Sequence, residues 1–136
     1  SVTNPDLARD YLFRAEKRLK AIDLLHAEED FADVVRESQE VVELALKALL
    51  RSFGVTPSFV HDVSEILDRN AGRLPESVQP LVPRWCEVSK HLRRDRELSF
   101  YGSEDVTPSD FYGRAEADVA RRMAREVVEG VAPWVR

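Results

Sequence analysis

A short run near residue 100 combines side chains suited to holding phosphate. Arg94 and Arg96 are followed by Tyr101 within the segment KHLRRDRELSFY. A planar guanidinium pairs with two phosphate oxygens at once, and a phenol hydroxyl adds a further donor. Because residues seven apart share one face of a helix, Arg94 and Tyr101 are predicted to lie on the same side. The three residues are therefore candidates for a phosphate or nucleotide site. In the alternative, Arg96 is surface charge and Tyr101 packs at a helix end.

The histidines and the single cysteine are weaker candidates for chemistry. His61 and Asp62 are adjacent, so at a helix start their side chains point apart, and we expect Asp62 to cap that helix with His61 packed nearby. A catalytic or metal-binding role for the pair is the alternative. No spacing of His, Cys and carboxylates indicates a metal site, and no cofactor is predicted. His26 and His91 are interpreted as isolated surface residues, and Cys86 as a small buried hydrophobe.

Further arginines recur near the end of the chain. Arg114, Arg121 and Arg125 follow one side of a predicted helix. If that side lies next to Arg94 and Arg96, the five arginines form one basic strip. The alternative is an ordinary solvated helix face.

Composition limits the classes of protein. A length of 136 residues predicts a single domain spanning 1–136, and the net charge of −5 argues against binding nucleic acid through the whole surface. The chain contains no apolar run near the roughly 18–20 residues of a membrane span, and no signal-peptide pattern opens it. The lone cysteine fits a reducing compartment. We therefore expect a cytoplasmic protein without a membrane segment.

The segment from Asp30 to Gly54 is predicted to be a central helix. Asp30 can cap its amino end and Gly54 can close its carboxyl end. Its apolar stripe is wide enough to be covered on more than one side. The stripe consists of Phe31, Val34, Val35, Val41, Val42, Ala45, Leu46, Leu49 and Phe53.

Four other helices are predicted around it. The first runs from Asn4 to about Ala27, and a short third helix begins at Asp62. The fourth begins within 77–80 and continues to about Phe100, with Arg93 and Glu97 as an i,i+4 ion pair. Thr107 restarts a fifth, whose predicted buried stripe is Phe111, Tyr112, Ala115, Val119, Met123, Val127, Val131 and Trp134. Short connections favour an all-α, five-helix up-and-down bundle.

Three segments in this order resemble the HEPN family, a nucleotide-associated helical domain. They are ARDYLFRAE from Ala8, SQEVVELALKALL from Ser38, and RELSFYG from Arg96. The second segment precedes a glycine turn and the His-Asp pair, and it places Gln39, Glu43 and Lys47 on one helix face.

The resemblance implies a four- or five-helix bundle and a homodimer. Many members are metal-independent ribonucleases, often toxins encoded beside a small nucleotidyltransferase in a prokaryotic two-gene module. Their chemistry uses an Arg, then four to six intervening residues, then a His at the end of the fourth helix. Here Arg96, or alternatively Arg94, matches the Arg, and Tyr101 stands at the His position. A phenol titrates near 10 and is a poor base at neutral pH.

Some family members carry R-E…Y-G as this chain does, and their activity does not follow from the ribonucleases. The leading interpretation is a binding or accessory protein that acts with a nucleotidyltransferase partner and touches nucleotide or RNA through Arg94, Arg96 and Tyr101. A ribonuclease toxin and a purely structural helical dimer are the alternatives, so the enzyme question stays open. Trp85, Phe111 and Trp134 are candidates for the dimer interface.

Overall fold

The structure is a computed structural model. It describes residues 4–58, 62–102, 104 and 107–136, with residues 95–101 described by their backbone alone. The described residues form α-helices and two 3-10 turns (residues 71–73 and 79–81) without a strand, which confirms the all-α prediction. Within these residues, no helix combines the length and the apolar character needed to cross a bilayer. The helices are α1 (Asn4–Ala27), α2 (Phe31–Ser52), α3 (Val63–Arg69), α4 (Val82–Tyr101), α5 (Pro108–Phe111) and α6 (Arg114–Val135).

Helix α2 lies at the centre of the molecule, as its wide apolar stripe predicts. It contacts each of the other five α-helices, and its buried residues are spread around most of its circumference. The Asp30 carboxylate accepts a hydrogen bond from the Asp33 N–H at 3.3 Å and so caps the amino end. Gly54 follows the carboxyl end with φ +79°, a left-handed conformation that glycine adopts without strain. Both predicted ends of the helix are confirmed.

Two capping and packing expectations around α3 are also confirmed. The Asp62 carboxylate accepts a hydrogen bond from the Ser64 N–H at 3.0 Å, whereas His61 lies outside the described residues. Cys86 of α4 is buried, and its thiol donates to the Ser64 carbonyl at 3.4 Å. Burial raises the pKa of the Cys86 thiol, so the residue behaves as a small unreactive hydrophobe.

Helix α4 begins slightly later than the sequence predicts. Pro80 lies inside the 3-10 turn that precedes it, and Pro83 occupies the second helical position, where it needs no hydrogen-bond donor. The helix then continues to Tyr101, one residue beyond the predicted end. Trp85 is only 2% exposed, so it belongs to the core and not to a dimer interface, while Phe111 and Trp134 remain exposed.

The helix predicted after Thr107 is divided in two, which corrects its predicted buried face. Tyr112 and Gly113 both have extended backbone, so α5 stops and α6 begins with a new helical phase. The Gly113 N–H donates to Glu116 Oε2 at 3.0 Å and fixes this start. Ala115, a member of the predicted buried stripe, is consequently exposed. The buried residues of α6 are Ala117, Ala120, Ala124, Val127, Val128, Val131, Ala132 and Val135.

Three arginines of α6 lie beside α1 and the turn that follows it, which favours an ordinary solvated face over a basic strip shared with α4. Arg114 pairs with Glu29 at 2.8 Å, and Arg121 and Arg125 reach Asp23 at 3.6 and 3.5 Å. Acidic residues of α1 and of the turn after it therefore offset the charge of this row. The sequence alone could not place the two helices side by side.

His26 is not the isolated surface residue that its neighbours in sequence suggested. Its Nε2 lies 2.6 Å from Asp118 Oδ1 of α6, and its ring packs edge-on against Phe31. The hydrogen bond from His26 lowers the pKa of Asp118. The end of α1, the start of α2 and the first turns of α6 are thus joined at one point.

Candidate functional site

One face of α2 runs beneath α4 and connects two different regions of the surface. Val35, Gln39, Glu43 and Lys47 are four residues apart and lie in one row along the helix. At one end of the row, Val35 and Leu92 of α4 line a common groove. At the other end, Glu43 contacts Arg93 of α4. Helix α4 therefore separates a polar cluster from a largely apolar groove.

We call the polar region the Glu43 cluster; it comprises Gln39, Glu43, Lys47, Asp62 and Arg93. Gln39 Nε2 donates to Glu43 Oε1 at 3.3 Å, and Lys47 Nζ lies 3.4 Å from Glu43 Oε2. Arg93 Nη1 lies 3.7 Å from Glu43 Oε1 and 3.5 Å from Asp62 Oδ1. The cluster thus links α2, the cap of α3 and α4.

Arg93 contacts two carboxylates that are far away in the sequence. The side chain of Glu97 lies outside the described residues, so the predicted local pair of Arg93 with Glu97 stays a prediction. The cluster contains two carboxylates and two cations, so its formal charges cancel. Its chemistry is therefore that of an ion-pair network joining helices, with little excess positive charge to offer a phosphate.

Gln39 is the most enclosed member of the Glu43 cluster. It is 4% exposed, and its Oε1 has no hydrogen-bond partner among the described residues. A buried amide oxygen in this state is normally matched by a donor or an ordered water. The side-chain nitrogen of Gln39 is thus bonded to Glu43, and the buried side-chain oxygen of Gln39 remains a hydrogen-bond acceptor.

Arg94, the first residue of the predicted site, leaves α4 on the other side from the cluster. It is exposed, and its Nη2 lies 2.9 Å from His91 Nδ1, one turn earlier. A guanidinium only donates hydrogen bonds, so Nδ1 is the acceptor in this contact and Nε2 is the ring nitrogen left to donate. The pair therefore presents a cation and a ring N–H donor together. His91 is consequently part of a local arrangement and not an isolated surface residue.

A groove of about 270 Å³ opens beside His91, between α2, α4 and the start of α6. Its surface is mainly apolar, with Tyr112 almost fully buried in it. Phe111, which is exposed, packs edge-on against Tyr112 with ring centroids 4.8 Å apart. The lining residues are Val35, His91, Leu92, Tyr112, Ala115, Glu116, Val119 and Ala120.

The helical backbone of α4 also fixes where positions 96 and 101 fall. Because the helix extends to Tyr101, position 101 is turned about 20° from position 94. Position 96 is turned about 160° from position 94, about 60° from Arg93 and about 40° from Leu92. The side chains of Arg96 and Tyr101 lie outside the described residues. The joint site of Arg94, Arg96 and Tyr101 stays a prediction.

The sequence showed part of this arrangement. The row of Gln39, Glu43 and Lys47 was visible from its spacing, but the partners of Arg93 and the groove were not, because they join residues from separate helices. Within the described part of the chain, no three His, Cys, Asp or Glu side chains are grouped so that they could hold a metal ion.

Comparison with known proteins identifies relatives of the fold. The sequence pattern of the HEPN domain matches residues 8–133. The chain is also similar to the crystal structure of TT1696 from Thermus thermophilus, with a TM-score of 0.73 and 26% sequence identity. That similarity covers 93% of this chain and 97% of the other. No curated protein matches the sequence.

Proposed function

The chain belongs to the HEPN domain family, and from this premise we propose that it associates with nucleotide or RNA through the carboxyl-terminal half of α4. Arg94, Arg96 and Tyr101 carry the contacts in this proposal. The observation that supports it most directly is the exposed Arg94 beside His91, since a guanidinium and a ring N–H together suit phosphate oxygens.

The two neighbouring arginines of α4 have different surroundings. Arg93 lies between the carboxylates of Glu43 and Asp62 and links them. Arg94 is exposed and contacts the His91 ring, which adds a second hydrogen-bond donor beside the guanidinium. We assign the phosphate contact to Arg94 on this ground, and a scaffolding role to Arg93. Position 96 is turned about 160° from position 94 around the helix, so a site that uses both requires a bound strand that passes the helix or a second subunit.

Arg96→Ala and Arg94→Ala are each expected to weaken binding of a short single-stranded RNA about tenfold, because each removes a charge-assisted contact. The melting temperature should stay nearly unchanged. Fluorescence anisotropy and thermal unfolding measure the two quantities, with Arg14→Ala, on the exposed surface of α1, as the matched control. A large loss of stability with unchanged RNA binding would instead make the arginine part of the scaffold.

The proposal includes two protein partners: a second copy of the chain and a small nucleotidyltransferase encoded nearby. The exposed Phe111 and Trp134, at 47% and 37% exposure, offer apolar surface for association. We predict that sedimentation at micromolar concentration gives the mass of a homodimer. A monomer under these conditions would argue against a composite site at a subunit boundary.

The protein is proposed to bind RNA with little or no cleavage. Tyr101 stands where the family's ribonucleases have a histidine, and its phenol is a weak base at neutral pH. In the RNA-binding experiment above, the labelled strand should therefore remain intact in the presence of EDTA. Robust metal-independent cleavage that disappears with Arg96→Ala would make the protein a ribonuclease.

A further inference from the structure

We propose that the groove between α4 and α6 holds the base of a nucleoside monophosphate unit, with its phosphate against Arg94 and His91. This inference rests on the proposed association with nucleotide or RNA and adds a binding pocket to it. It uses residues outside the predicted trio, chiefly His91, Tyr112 and Ala115. The occupant is either a free nucleotide or one nucleotide of an RNA strand, and the chemistry of recognition is the same.

The size and surface of the groove fit a single base. Its volume of about 270 Å³ is just below the roughly 300–1,000 Å³ of sites that enclose whole small molecules. A flat ring system in an apolar slot with an aromatic wall gains stacking and burial, and this contribution tolerates different bases. Tyr112 lines the groove but is only 3% exposed, so it closes the slot and offers little ring surface for stacking. The aromatic face available next to the groove is that of the exposed Phe111, which packs edge-on against Tyr112.

The charges around the groove orient the occupant. Arg94 and His91 lie on the α4 side, with Nη2 and Nδ1 2.9 Å apart. The carboxylate of Glu116 is on the α6 side, where Oε2 accepts from the Gly113 N–H at 3.0 Å. A phosphate is attracted to the cation and repelled by the carboxylate, so it lies toward α4. The edge of the base then faces Glu116, which can accept hydrogen bonds from base N–H groups.

Position 101 lies on the same side of α4 as Arg94. It lies seven residues after Arg94 and about two helical turns further along, within about 20° in rotation. A strand that enters the groove at His91 can therefore continue along α4 toward Tyr101. The Glu43 cluster is less suited to this role, because its formal charges cancel and Gln39 is enclosed.

The test uses three probes that divide the occupant into its parts: AMP, adenosine and inorganic phosphate. Ala115→Phe places a ring in the groove from an exposed helical position, and Arg94→Ala removes the cation. Isothermal titration should show AMP weakened about tenfold or more by either substitution. Adenosine should respond only to Ala115→Phe, and phosphate only to Arg94→Ala. Ala21→Phe, on the exposed face of α1, is the control for the added ring.

The outcomes separate this inference from the proposed function. If Ala115→Phe leaves AMP and RNA binding unchanged while Arg96→Ala weakens RNA binding, the groove inference fails and the function stands. If neither AMP nor RNA binds the wild-type chain, both fail. If Ala115→Phe changes the sedimenting mass without affecting AMP, a second copy of the chain occupies the groove and the inference fails. Should Ala115→Phe prevent folding, the His91 ring resonances of the wild-type protein must shift on addition of AMP for the inference to survive.

Discussion

Replacement of Leu46 by alanine is expected to destabilise the protein by about 2–5 kcal/mol, because it leaves a cavity at the centre of the core. Leu46 is 0% exposed and lies in α2, the helix that contacts all the others. The surrounding helices are held by contacts on several sides of α2, which limits their collapse into the space. The melting temperature should fall by roughly 8–20 °C in a thermal scan followed by circular dichroism.

Leu24→Ala is the matched control, since it removes the same atoms from a leucine of α1 that is 64% exposed. It should change stability by less than about 0.5 kcal/mol. Equal losses for the two leucines would contradict the central position of α2. Both substitutions change the free energy of the unfolded chain by a similar amount, so this contribution largely cancels when the two variants are compared.

Gly130→Ala is expected to destabilise the protein by about 1–2 kcal/mol, although alanine favours helices over glycine by about 1 kcal/mol. A Cβ at position 130 would lie 2.7 Å from Cζ2 of Trp85. Trp85 is 2% exposed, so its ring cannot swing aside into solvent. The cost of the overlap therefore exceeds the gain in helix propensity. Urea unfolding measures the difference.

Two further variants isolate this contact. Gly72→Ala should be neutral or slightly stabilising, because nothing lies within 4 Å of a Cβ there. In a Trp85→Phe background, which lacks the overlapping ring atom, Gly130→Ala should lose its penalty and regain the helical advantage of alanine. A penalty that persists in that background would place its origin elsewhere in α6.

Capping residues and hydrophobic periodicity were sufficient to predict most of the helices. Asp30 and Asp62 form the caps that their positions predict, and the wide stripe of α2 identifies the central element. The error at α6 has a definite cause. The predicted stripe carried the phase of Phe111 and Tyr112 through Gly113, where the backbone is extended and the phase is lost. The true buried face is rich in alanines, which resemble surface residues in a helical pattern.

The candidate site was less predictable, because its contacts join distant segments. Arg93 meets Glu43 and Asp62, which belong to other segments, and the spacing of charges within α4 does not predict these contacts. The groove beside His91 arises where α2, α4 and α6 meet. The spacing of residues within one helix cannot predict a groove that three helices form together. The hydrophobic pattern therefore predicted the fold, whereas only the structure shows which residues contact each charged side chain.

The polar contacts between α6 and the end of α1 favour one alignment of the two helices. His26 faces Asp118, and the residues one turn on either side of Asp118 are Arg114 and Arg122. A shift of one turn in either direction would therefore place His26 beside an arginine, which cannot accept its hydrogen bond. In one of these shifts Asp118 would also approach Glu29, the partner that Arg114 now holds. One carboxylate among the arginines of α6, matched to the histidine of α1, thus disfavours the alternative alignments of two alanine-containing helix faces.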